Sequence, residues 1–210
     1  HRRRHSFPTR RSSDLNNKGM LDWSSTGQWQ KEINKADEQY GPLFAKYAQT
    51  PVQDLAQDPQ AIEVGKRLYL TYCYQCHGSD ARGAKGFPNL TDGDWLYGGQ
   101  PETILQTITQ GRNGMMPPHA HLGEESIKDL ANYVRSLSGL ANDSLRAAKG
   151  KELFASSGGA GCHGPDGKGN QAIGAPNLTD NIWLYGSSEK TITETITNGR
   201  QNMMPAFADR

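Results

Sequence analysis

Long apolar runs are missing: nothing in the 210 residues approaches the ~18–20 consecutive apolar residues of a membrane-spanning helix, so the chain as it stands is expected to be soluble. An excess of either charge is missing too, with 23 basic residues against 22 acidic, and no polyanion is implied as a partner. Apolar residues make up only 34% and aromatics 8%, which is thin for a core that closes by itself. Cysteine is scarcest. Three residues, an odd number, cannot make a disulfide framework and point instead to metal or cofactor chemistry. What is plentiful is glycine, 24 residues beside 11 prolines, the mark of a loop-rich fold. Together these features predict that something other than protein completes the core.

Residues 1–14 (HRRRHSFPTRRSSD) are set apart by composition, carrying five of the 23 basic residues and no apolar periodicity. They read as a non-native scar rather than a basic arm for nucleic acid. Past them, the sequence repeats itself. Leu90-Thr91-Asp92 returns as Leu178-Thr179-Asp180, Trp95-Leu96-Tyr97-Gly98 as Trp183-Leu184-Tyr185-Gly186, and Met115-Met116-Pro117 as Met203-Met204-Pro205, all 88 positions on. Upstream the offset shrinks to 86 at Cys76-His77-Gly78 and Cys162-His163-Gly164, and to 85 at Gly65-Lys66 and Gly150-Lys151. Two copies make a tandem duplication, not a solenoid. The expected organisation is residues 15–57 as a leading segment with an amphipathic helix over 27–48, a first domain over 58–141 and a second over 142–210.

Within a copy the pattern is helical. A helix is predicted from Asp58-Pro59 to about Tyr74, another over 101–110 between Pro101 and Gly111, and a third over 124–137 with Ile127, Leu130, Val134 and Leu137 on one stripe. The opening helix, through Leu68 and Tyr69, is the expected partner of that stripe. Gly78 to Gly99 shows no strand alternation, and loops that long in a compact domain usually wrap a ligand. The chain reaches Arg210 without a counterpart of the third helix, so the second copy is expected to lack its closing helix.

The chemistry sits at Cys73-Tyr74-Gln75-Cys76-His77. Two cysteines three apart with a histidine directly after are what covalent attachment of c-type haem requires: each thiol adds to a vinyl group and the imidazole reaches the iron. A zinc site needs two further ligands, and the remaining cysteine belongs to the other copy. A redox pair of thioredoxin type needs a βαβ context that is absent. Haem iron takes a second axial ligand, and each copy offers a Met pair before proline. The axial set read from the sequence is His77 with Met116 in the first copy and His163 with Met204 in the second, the Met-Met-Pro segments being read as turns. His119 and His121 stand near enough to Met116 to compete, although a rim position explains them as well.

Around these, Pro88 and Pro176 are candidates to offer a carbonyl to the ligand imidazole. Arg112 and Arg200 suit haem propionates. Trp95, Tyr97, Trp183 and Tyr185 are candidates for the ring edge, with ordinary packing as the competing explanation. The second copy departs from the first in having Gly158 and Gly159 where the leading thiol belongs, which leaves Cys162 as a single covalent anchor.

From Leu21 onward the chain resembles the di-haem cytochrome c subunit (subunit III, CcoP/FixP) of the cbb-type haem–copper cytochrome c oxidases. The likeness rests on Leu21-Asp22-Trp23-Ser24, Tyr40-Gly41-Pro42-Leu43-Phe44-Ala45-Lys46-Tyr47, Cys73 to Gly83, Gly86 to Asp92, Met116-Pro117-Pro118 and Gly174 to Trp183. It implies an all-α fold of two tandem class I cytochrome c-like domains carrying two haem c groups. It further implies electron flow from a donor cytochrome c to the mono-haem subunit and on to the haem–copper subunit, on the periplasmic side of the bacterial inner membrane. In that family a transmembrane helix precedes the Leu21-Asp22-Trp23 segment. A free-standing di-haem cytochrome c, or a di-haem peroxidase, is the alternative; the latter needs an open sixth position that the two Met pairs argue against.

Overall fold

Ser24 starts the first helix by accepting a hydrogen bond from the Gly27 N–H at 3.1 Å. The computed structural model describes residues 23–208, so the proposed scar over residues 1–14 and the Leu21-Asp22 pair lie outside the described residues. Helix α1 (Ser25–Gln49) carries Pro42 inside it and ends where Thr50, held extended by Pro51, leaves helical geometry. It buries nothing: Trp29, Ile33, Tyr40 and Phe44 all stand exposed. A short α2 (Val52–Leu55) follows, then α3 (Pro59–Tyr72), whose first N–H groups donate to Asp58 Oδ1. The chain divides into two compact units at Ile62 and Glu63, so the division does not fall between the two repeats. No helix among the described residues is long and apolar enough to cross a membrane.

From Glu63 on, both repeats lie in the second unit, and they build the same elements. The first continues from α3 through α4 (Tyr74–His77) and α5 (Pro101–Gln110) to strand β1 (Arg112–Met116). After a 3-10 turn at Ala120–Leu122 comes α6 (Glu124–Leu137). The second repeat supplies α7 (Ser144–Ser156), α8 (Gly159–His163), α9 (Glu189–Asn198) and β2 (Arg200–Met204). The long segments between α4 and α5 and between α8 and α9 are irregular, each pinned by one bridge, Ala84 to Phe87 and Asn170 to Ala175.

The Met-bearing segments are strands, not the turns expected. They pair antiparallel with each other, Arg112 opposite Met204 and Met116 opposite Arg200. Nothing in Arg-Asn-Gly-Met-Met favours a strand by itself; the partner is the same segment of the other repeat. Gly111 (φ +70°) and Gly199 (φ +71°) let the chain turn into the ribbon where a Cβ would overlap the Met204 and Met116 carbonyls. Just beyond, His119 N–H donates to Ile196 O at 2.9 Å and Phe207 N–H to Ile108 O at 3.0 Å, the same bond with the repeats exchanged. The two repeats are thus joined as the halves of a two-fold pair.

That exchange decides where α6 goes. Ile127, Leu130, Ala131 and Val134 are buried together with Phe154 of α7 and with Ile192 and Ile196 of α9. Gly150 permits the approach, since a Cβ there would overlap the Asp129 carbonyl. Arg146 ties the pair by donating to Asp129 Oδ1 at 2.8 Å, and Asp143 N–H donates to Asn132 Oδ1 at 2.8 Å. So the third helix of the first repeat closes the second repeat, and α3 is not its main partner. The expectation that the second repeat stands open is corrected accordingly. The reason is geometric: β1 already lies along the second repeat, and the short Pro117–Gly123 link returns the chain on that side. Neither α3 nor α5 has a buried residue.

Candidate functional site

Each repeat sets a histidine at the end of a short helix and turns away through a glycine, Gly78 at φ +80° and Gly164 at φ +81°. His77 is 8% exposed and its Nδ1 lies 3.0 Å from the Pro88 carbonyl; His163 is 9% exposed with Nδ1 3.0 Å from Pro176 O. A carbonyl can only accept, so Nδ1 carries the proton and Nε2 keeps its lone pair for a metal. The loop is held in that position by the same backbone bonds in both copies, Gly83 N–H to His77 O and Gly169 N–H to His163 O. Burial lowers the His163 pKa, against the pull of the Pro176 hydrogen bond. That keeps the imidazole neutral, the form that ligates.

His163 opens into a cavity of about 850 Å³. Cys162, Pro176, Trp183, Tyr185, Arg200 and Met116 line it together, as do Phe87 and Pro88 of the first repeat. Met116 also packs against the buried cluster of Phe154, Ile192 and Ile196. The methionine expected opposite His77 is therefore on the His163 side, carried across by the ribbon. In the other direction, the segment after Met204 reaches the first repeat, where Phe207 packs on Tyr72 at 6.2 Å between ring centroids. His119, the counterpart of Phe207, lines the same cavity as His163, so it stands beside the second site and not the first. It stacks on His121 at 5.9 Å.

The two arginines are held alike. Arg112 donates to Thr107 Oγ1 at 2.9 Å and lies over the Tyr97 ring; Arg200 donates to Thr195 Oγ1 at 2.7 Å and lies over Tyr185. Tyr185 hydroxyl donates to Asn202 Oδ1. The Thr107 and Thr195 roles escaped the sequence reading although the 88-residue offset relates them. Tyr97 is pressed against Gly174 of the second repeat and Tyr185 against Gly86 of the first, another exchanged pair. Trp183 faces the cavity, whereas Trp95 packs over Gly99.

Cys73, half-buried at the start of α4, has its thiol pKa raised by burial and then by Cys76; Cys76 and Cys162 are exposed. Gly158, in left-handed conformation (φ +92°), precedes α8 as Cys73 precedes α4, and α8 holds the extra residue. A Cβ on Gly158 meets nothing, but one on Gly159 would stand 2.5 Å from Phe154 Cδ2.

The family model for cytochrome c oxidase, cbb3-type, subunit III matches residues 60–134 and 145–210. The cbb3-type cytochrome c oxidase subunit CcoP of Rubrivivax gelatinosus is 53% identical over 196 residues, 92% of this chain and 64% of that protein. Subunit FixP of Azorhizobium caulinodans is 43% identical, over 91% of this chain and 70% of its own length. Subunit CcoP of Rhodobacter capsulatus is 39% identical, over 90% and 69%. With both repeats matched and relatives this similar along nearly all of it, the chain belongs to the cbb3-type cytochrome c oxidase subunit III family.

Proposed function

We propose that the chain is an electron-transfer subunit of a cbb-type oxidase, binding two haem c groups and relaying electrons from a donor cytochrome c to the mono-haem and haem–copper subunits on the periplasmic side of the membrane. Cys73 and Cys76 would tether one haem and Cys162 alone the other. His77 and His163 would hold the iron, with Met116 serving the His163 site and Met204 the His77 site. The observation that carries this reading is the repeated buried imidazole with its Nδ1 on a proline carbonyl, opening in the second repeat onto a cavity that also holds a thioether.

The residues fit such a group. A cavity of about 850 Å³ is within the ~300–1,000 Å³ typical of cofactor sites. Trp183 Nε1 and His119 Nδ1 are buried there without a hydrogen-bond partner, and a buried donor such as the Trp183 N–H is costly unless a propionate or other acceptor meets it. Bound haem supplies a one-electron iron couple. The protein's part is to fix the His tautomer, to shield the ligands from water and to set a cation near acidic groups through the Arg200–Thr195 bond. Expression with haem-maturation machinery followed by intact-mass measurement should show two covalent haems per chain. A chain that takes up one haem or none would overturn the reading, and so would turnover of peroxide by the purified protein.

A further inference from the structure

The 88-residue repeat changes chemistry at two positions beside the Met-bearing strands. Position 114 is glycine where position 202 is asparagine, and position 207 is phenylalanine where position 119 is histidine. Both polar members line the cavity in front of His163, Asn202 from its own repeat and His119 carried across from the other. Phe207 goes to the first repeat, where it packs on Tyr72. Asn202 is already engaged, since its Oδ1 accepts from the Tyr185 hydroxyl. His119 is engaged everywhere except at one atom. Its backbone N–H donates to Ile196 O and its ring stacks on His121, but Nδ1 is buried without a hydrogen-bond partner. A dry ring nitrogen is a cost that phenylalanine avoids, and the equivalent position of the other repeat does avoid it. The cost has a purpose if something in the cavity meets that nitrogen.

We propose that His119 binds the acidic edge of the haem in the His163 site, its Nδ1–H donating to a propionate, and that this contact raises the potential of that site above what a phenylalanine there would give. The inference rests on the haem reading above and adds one contact to it. An ionised carboxylate accepts and cannot donate, so the nitrogen that meets it carries the proton. Trp183, whose Nε1 is likewise buried without a partner, and Arg200 line the same cavity, so the donors gathered there suit an acidic group. A hydrogen bond to a propionate draws off negative charge near the iron and so favours the reduced state, and second-shell hydrogen bonding is one of the protein's levers on haem potential. Phe207 has no N–H to offer the first site. The role is one of binding and tuning; Met116, which lines the same cavity, stays the thioether candidate for the iron.

The test uses the haem-loaded Cys73→Ser, Cys76→Ser chain, whose remaining haem is the one at Cys162, with intact mass to count it in every variant. His119→Phe installs the residue that the other repeat already carries, and the backbone bond to Ile196 does not involve the side chain. Redox titration should then show a potential lower by about 59 mV, a tenfold change in a one-electron equilibrium. The absorption band of thioether-ligated ferric iron should be unchanged. His119→Asn, whose amide N–H can stand near the place of Nδ1–H, should recover most of the shift; a merely structural role would not distinguish asparagine from phenylalanine in this way. An unmoved potential in His119→Phe would overturn the proposal, and so would an asparagine variant that behaves like the phenylalanine one. A thioether band that appears only when His119 is removed would make His119 an iron ligand and overturn it as well. A chain that carries no haem at Cys162 would sink the functional reading together with this contact, whereas a haem of unmoved potential sinks the contact alone.

Discussion

Met115 and Met116 are neighbours in sequence and opposites in environment. Met115 is 77% exposed, while Met116 packs on the buried cluster, because successive strand residues face opposite sides. Thioether ligation raises a haem potential, so Met116→Ala is expected to lower the potential of the second haem and Met115→Ala to change neither. Redox titration of a Cys73→Ser, Cys76→Ser background, which keeps the second haem alone, checks this; an unmoved potential would remove Met116 from that iron. Gly158 offers room for the thiol the second repeat lacks. Gly158→Cys should raise haem occupancy there and shift the pyridine-haem spectrum toward that of two thioethers, at a cost of about 1–2 kcal/mol for left-handed backbone. Gly159→Cys should do neither, since Phe154 stands in its way. Asp94 provides a pH test. Burial, and after it Asp180 and Asp92, hold its carboxyl above the usual range, so folding favours the protonated form. Its ionisation therefore destabilises the fold at neutral pH, and that cost fades as pH falls through the raised pKa to below the ordinary Asp value. Asp94→Asn should raise the melting temperature at pH ~7 and leave it unchanged near pH ~3.

At the scale of elements α6 and α7 make the closest helix contact among the described residues. Gly150→Ala forces a methyl group into the Asp129 carbonyl, and the helices must part or shift, at about 1–3 kcal/mol. Arg146→Ala leaves Asp129, which is 8% exposed, without its ion pair and should lower stability too. Both are read by denaturant unfolding, and a loss under 0.5 kcal/mol (roughly the size of a neutral surface change) would show that α6 rests elsewhere. These helices were legible in the sequence. Pro101 and Gly111 bracket α5, and the stripe of α6 follows the helical period. The Cys73 to His77 motif was legible without help from the fold. Which surface α6 covers was not legible, for a physical reason: in a duplicated chain every apolar face has two chemically similar partners, and periodicity says only that a partner is needed. The ribbon was hidden for the same reason, since β1 becomes a strand only against its own copy.

For the whole molecule, the burial is lopsided. Among the described residues, the buried apolar side chains all lie between Ile127 and Ile196. Each large one buried contributes about 1.5–3 kcal/mol, and α3 and α5 hold none. Stability should therefore be graded along the chain: amides of α3 and α5 are expected to exchange before those of α6, α7 and α9, the reverse of what the missing third helix of the second repeat suggested. Residue-resolved hydrogen exchange decides the order, and uniform protection would contradict it.

The ribbon of β1 and β2 makes the two halves hard to part. A tandem duplication ordinarily leaves modules that can be parted, each a working relic of the single-copy ancestor. Here either half, alone, would expose the unpaired edge of its Met-bearing strand, the kind of edge that recruits another chain. Its natural remedy is a second identical half, across the same two-fold. In these terms the two strands meet as those of two subunits would, with the link between Leu137 and Ser144 taking the place of concentration.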